Sequence, residues 1–314
     1  MELQEALDRR AALAPALSPR RVAWRRVVPA ALAVAALAGL VVVVVGRRHA
    51  FAHAIDTAPL WLLAAAVALQ LLALLSRSEA WHRCVGAAGS TVPRRGVFRA
   101  SGIGGLGGIV NGQLGLAARI ATLRRSAPSQ CPRVGALVAA EVPIIAVEAS
   151  LAALTSFTLL GPLGLPWWSA VACVAVAVGA LSALTAGSRR KTTGVWSGLA
   201  VLRSMNGRSR IVGLVLIAVV AQIARNWLAL HALGVDASVF DAIAVLIALV
   251  TLSQLPLGPS VGAVAVVMIL GSNGVALSAA AGVLLSATGI VGTLCFGAWA
   301  LADRLHALPA AARP

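Results

Sequence analysis

Apolar runs separated by short arginine-bearing segments recur from residue 28 to residue 301. Those near 28–45, 59–75, 134–160, 169–186, 211–233 and 275–301 approach or exceed the roughly 20 residues that cross a hydrocarbon core. Each predicts a helix, the valine run at 41–45 included, because lipid offers the backbone no hydrogen-bond partner outside its own segment. Two stretches depart from this pattern. Residues 99–125 are apolar, yet they hold seven glycines between 102 and 115 together with Asn111 and Gln113. Backbone that loose is tolerated at membrane depth only inside protein or beside a wet cavity. With arginines at both ends, the stretch reads as a hairpin that dips in from one face and returns. The alternative is one glycine-rich helix packed through small-residue contacts. Further on, 242–255 and 261–270 are each too short to cross, and Pro256 and Pro259 lie between them. They read as a second broken hairpin, from the opposite face. Two ordinary spans with an external C-terminus are the alternative.

Charge changes the picture by setting orientation. Lysine and arginine number 26 against ten acids, a net charge of +16. In a soluble protein that surplus would point to nucleic acid. Here it lies between apolar runs. With both hairpins drawn, every basic residue except Arg47, Arg48 and Arg225 falls on one side, as the positive-inside rule requires. The expected fold class is all-α: a polytopic transmembrane helix bundle of about six full spans plus two broken or re-entrant helical hairpins. Residues 1–27 are expected to form a cytoplasmic N-terminal segment, 28–301 the transmembrane domain and 302–314 a cytoplasmic tail. The arginine-bearing stretch 1–27 is longer than the leading region of a cleavable signal peptide, so the first span is expected to be retained. Charged residues make up 11% and mean hydropathy is +0.91, which leaves no soluble stretch able to bury a core of its own. Lys191 is the single lysine and tyrosine is absent. Such usage suits a GC-rich bacterial genome, and the expected location is the bacterial inner membrane with both termini cytoplasmic.

Candidate chemistry is sparse. Cys84, Cys131, Cys173 and Cys295 follow no metal-ligand or CxxC spacing, so no disulfide framework, metal or cofactor is expected. Gly102, Gly104 and Gly107 make a GxGxxG-like string, but it follows no strand. No nucleophile triad or phosphate loop occurs, and the chain is not expected to be an enzyme. Ionisable groups inside spans are costly and hence candidates for function. Glu141 and Glu148, seven residues apart, share one helix face. Glu148 and Arg225 each lie about 21 Å into helices that start from the same side, at ~1.5 Å per residue. They are expected to pair or to line a common polar cavity; a buried ion pair that only fixes packing is the alternative. Gln222 and Asn226 make the surface around Arg225 polar, while Gln70 is expected to hold helices together.

A further set of residues resembles a known family. Asn111 follows the second span, and the pattern Gly115-Leu116-Ala117-Ala118-Arg119-Ile120 leads to Leu123-Arg124-Arg125. Glu141 comes early in the next span, and Leu255-Pro256-Leu257-Gly258-Pro259-Ser260-Val261-Gly262 precedes the last helices. In these features residues 30–301 resemble the lysylphosphatidylglycerol synthase transmembrane region, also called flippase-like integral membrane proteins. The chain departs from that family where Gly112, Gln113 and Leu114 replace a Pro-x-Arg, where Leu116 replaces an acid, and where no acid follows Gly262. The resemblance implies movement of phospholipids or lipid-linked headgroups between leaflets. The chain ends at Pro314, so the aminoacyl-transfer domain of longer relatives is not expected.

These readings combine into one expectation. Arg119, Arg225 and helix-end amides would hold an anionic phosphate; Glu141 and Glu148 would hold a cationic group or a proton. Asn111, Gly115, Asn226, Pro256 and Pro259 complete the candidate binding set. The expected partners are membrane lipids with anionic headgroups. A scaffold for a glycolipid or envelope-synthesis enzyme is the alternative, and a proton-coupled solute carrier a third reading.

Overall fold

The computed structural model describes residues 59–110, 112–190, 194–252, 261–271 and 275–311. The expected N-terminal segment, the first span, the turn of the second hairpin, Asn111, Pro256 and Pro259 lie outside the described residues. Among the described residues there is no strand, and eleven α-helices carry the fold. They are α1 Leu60–Ala87, α2 Arg94–Val110, α3 Gly112–Ser126, α4 Val134–Ala139, α5 Val142–Leu154 and α6 Leu160–Leu163. The remainder are α7 Trp168–Arg190, α8 Met205–His231, α9 Val239–Leu252, α10 Val261–Leu270 and α11 Val275–Ala311. Five stretches are long and apolar enough to cross a membrane: α1, α4 continued by α5, α7, α8 and α11. The chain is an all-α membrane protein.

The glycine-rich stretch is two helices. α2 and α3 run antiparallel, bringing Gly104 and Gly108 against Gly115. A methyl group added at Gly115 would stand 2.9 Å from the Gly104 carbonyl oxygen and from Gly108 Cα. The glycines therefore serve close backbone approach, the use of small residues expected between membrane helices. A second glycine face of the same helix meets α11, where a methyl at Gly102 would lie 2.7 Å from Ala300 Cβ. The hairpin expectation is met in the backbone, and the single-helix alternative is not.

Three boundaries differ from expectation. The basic stretch 77–99, read as a loop, is helical through Ala87; a left-handed Gly89 then turns the chain, with Ser90 N–H donating to the Val85 carbonyl at 3.1 Å. The helix continues past its apolar stretch because its charged residues find partners; Glu79 and Arg83, one turn apart, stand 2.9 Å from each other. The third span is interrupted at Ala140 and Glu141. Pro143 has no N–H for the Ala139 carbonyl and cannot continue the helix below it. The last helix runs on to Ala311 through the expected tail, and Asp303 within it is buried.

α8 packs along α1, and α11 packs against α2 and α10. Among the described residues two large apolar cores result, with a small third cluster of Ala73, Ala218 and Ala221 where α1 meets α8. One, including Trp81, Leu123, Leu137 and Ile211, surrounds the α2–α3 hairpin and the interrupted span. The other joins the C-terminal end of α8 to α9, α10 and the first half of α11. α9 and α10 pack together as the two arms of the expected second hairpin. Ser238 and Asp241 form a reciprocal cap at the start of α9, each side chain accepting from the other's backbone N–H.

Candidate functional site

Four charged side chains converge where the hairpin meets the interrupted span. Arg119 comes from α3, Glu141 from the interruption, Glu148 from α5 and Arg77 from α1. The Arg119 guanidinium lies 4.1 Å above the Trp81 ring. Its Nε donates to Ser101 Oγ at 3.1 Å, and a terminal nitrogen donates to Glu141 Oε2 at 2.9 Å. Arg77 bridges the two acids, 3.7 Å from Glu141 Oε1 and 3.1 Å from Glu148 Oε1. Two positive and two negative charges thus balance, the condition under which buried ions are tolerated. Gly104 makes room for this arrangement: a methyl there would stand 2.7 Å from Arg119 Cβ and 2.9 Å from the Gly115 carbonyl oxygen.

The four are not equally accessible. The side chains of Arg119 and Glu141 are 11% and 10% exposed, whereas Arg77 is 37% exposed. Arg77 is therefore the most accessible member of the network. Its fork-shaped guanidinium suits phosphate as well as carboxylate, so an anion can take the place of either glutamate on it. Arg77 was missing from the expected site because it stood among the arginines read as a basic loop. The overlooked signal is its spacing four residues before Trp81, with Glu79 four before Arg83, which continues a helix.

The expected pairing of Glu148 with Arg225 does not occur. Equal depth does not fix the facing side, and Glu148 meets Arg77 of α1 instead. Arg225 instead donates to Gln70 Oε1 and, at 3.1 Å, to Asn226 Oδ1. It is buried, as are Gln70 and Asn226. Among the described residues no carboxylate reaches its guanidinium, and Asn226 Nδ2 is buried without a hydrogen-bond partner. Gly289 of α11 gives this cluster space, since a methyl there would lie 3.1 Å from an Arg225 terminal nitrogen. Gln70 does hold helices together, through Arg225.

The structure thus brings Gly115, Arg119, Glu141 and Glu148 into one site and puts Arg225 and Asn226 in another. Among the described residues no group of His, Cys, Asp and Glu is arranged to hold a metal ion. Comparisons with protein-family models, with curated proteins and with solved structures give no match.

Proposed function

We propose that this chain assists the movement of a phospholipid or lipid-linked polar headgroup between the leaflets of a bacterial inner membrane. The observation that carries the reading is the charge-balanced Arg77–Glu141–Arg119–Glu148 network, buried at Arg119 and Glu141 and partly open at Arg77, between a glycine hairpin and an interrupted span. Such groups cost several kcal/mol at membrane depth unless they are matched, and they mark polar pathways. A headgroup carries the phosphate and hydroxyl or amine groups that can exchange into this network one partner at a time. The resemblance to flippase-like integral membrane proteins supports the same reading, as does the one-sided distribution of arginine, with both termini cytoplasmic.

The test is a leaflet-exchange assay with purified protein in liposomes, using fluorescent anionic, zwitterionic and lysyl lipids. Wild-type protein is expected to accelerate exchange of at least one, and Arg77→Gln to slow it while the fold persists. No acceleration of any lipid overturns the reading. The scaffold reading has one observation in its favour. None of the apolar window of α7 is buried, which leaves that helix open to another membrane protein. A partner recovered in fixed stoichiometry, and lost on substituting exposed Val176 and Val178 of α7, would select it.

A further inference from the structure

A second polar region lies apart from the network, at the ends of α1 and α11 and the start of α2. Leu72 and Leu75 of α1, Leu216 of α8 and Leu294 of α11 are exposed apolar side chains on the helices approaching it. Where they give way to charge, an open pocket of about 770 Å³ is bounded by Leu75, Phe98, Leu214 and Trp299. Its charged lining is Glu79, Arg94, Arg95 and Asp303.

These charges are layered. The carboxylates are inside: Glu79 and Asp303 are both buried. Glu79 holds Arg83 at 2.9 Å and Arg94 at 2.7 Å; Asp303 holds Arg95 through its Nε at 2.8 Å and Arg99 at 3.3 Å. The arginines lining the pocket are outside, with Arg94 66% and Arg95 72% exposed. Arg94 also lies over the Phe98 ring, 5.0 Å from its centroid. Four guanidinium groups on two carboxylates leave a surplus of positive charge. Glu79 takes only Nε of Arg94, and Asp303 only Nε and one terminal nitrogen of Arg95. Among the described residues the other N–H groups of both forks have no acceptor, on arginines already held in place.

We propose that this pocket is a loading site for an anionic phospholipid, its phosphate on Arg94 and Arg95 and an acyl chain along Leu75, Leu214 and Trp299. The fork geometry matches phosphate oxygens. The apolar wall matches a hydrocarbon chain, and a free phosphate would leave that wall bare. Trp299 is exposed, and tryptophan is the residue type enriched at the headgroup level of a bilayer. Glu79 and Asp303 act as positioning residues that orient the forks. The proposal builds on the transport reading and gives it a point of capture, but it concerns occupancy and not movement.

The experiment is photolabelling of the full chain in phosphatidylcholine nanodiscs. The probe is phosphatidylglycerol with a diazirine near the top of one acyl chain, and the control is the matching phosphatidylcholine probe. Labels on the peptides containing Leu75, Leu214 and Trp299 are expected at least about fivefold above the control, a preference of roughly 1 kcal/mol. Arg94→Gln with Arg95→Gln should remove that preference, while Arg124→Gln with Arg125→Gln at the exposed end of α3 should not. Wild-type protein also tests the point without mutation. Raising salt from about 0.1 M to about 1 M shortens the screening length from ~10 Å to ~3 Å and should erode the preference. Equal labelling by the two probes, or a preference that survives both the double substitution and high salt, overturns the proposal. Loss of labelling on adding millimolar glycerol 3-phosphate overturns it in favour of a soluble phosphate site. Normal labelling in a protein that moves no lipid would overturn the transport reading and leave the loading site standing.

Discussion

At the α2–α3 hairpin, Arg77 and Arg119 meet Glu141 and Glu148, so the charges cancel. Around Arg225 the partners among the described residues are two amides, Gln70 and Asn226, and no counter-charge meets it there. Both clusters are enclosed by helices of the same bundle, but they solve different problems. A matched ion network is costly to leave half-made, because removing one member strands another in a medium that does not solvate it. An arginine held only by amides has hydrogen-bond partners but no counter-charge. Removing its charge while keeping a donor strands nothing. The first cluster therefore locks elements together, and the second tolerates substitution.

The largest expected effect tests the lock. Glu141→Ala should lower stability by about 3–5 kcal/mol, the cost of stranding one member of a buried pair. Denaturant unfolding in detergent micelles measures it, and adding Arg119→Met should recover much of the loss. A Glu141→Ala protein as stable as wild type would mean that the network is idle. Arg77→Gln takes away the partner of Glu148 at a partly exposed site and should cost less than Glu141→Ala, about 1–3 kcal/mol, so a loss of lipid exchange in protein that stays folded would come from function. Next comes the backbone that supports each cluster. Gly104→Ala drives a methyl into Arg119 Cβ and the Gly115 carbonyl, and should cost about 1–3 kcal/mol by overpacking. Gly289→Ala meets only the guanidinium end of a long side chain, Arg225, and no backbone, and should cost less than about 1 kcal/mol; equal losses at the two glycines would erase the contrast. Smallest of all is Arg225→Gln, which keeps a donor for Gln70 and Asn226 while dropping the charge. Its stability should stay within about 1 kcal/mol of wild type or rise. A drop as deep as that of Glu141→Ala would show that Arg225 has a counter-ion beyond the described residues.

The class of fold was legible because lipid leaves a polypeptide few options, and hydropathy reports which segments must take them. The hairpin was legible for a similar reason: glycines at 104, 108 and 115 make sense only where backbones touch. Arg119 and Glu141 were found as candidates, but their pairing with each other was not, since the contact depends on how α3 meets a segment from elsewhere in the chain. Glu148 and Arg225 were joined by depth alone, a one-dimensional measure that ignores rotation about each helix. Pro143 was the visible sign that the rise would not be uniform. The extent of α1 was missed because apolarity ends near Leu75 while helical hydrogen bonding does not. The partners of Glu79 and Asp303 lie on neighbouring segments and are spread over α1 and α2. Nothing in local sequence specifies that two acids from opposite ends of the domain will share one pocket.

The interruption between Ala139 and Val142 makes two levers of what would otherwise be a single rod. A continuous helix resists bending through its ladder of peptide bonds. Here Pro143 takes out a rung, and the corner is braced from outside by Arg119 and Arg77 acting on Glu141. Backbone hydrogen bonds from Glu141 N–H to the Val138 carbonyl and from Ile145 N–H to the Glu141 carbonyl still cross the joint, so charge and peptide chain hold it together.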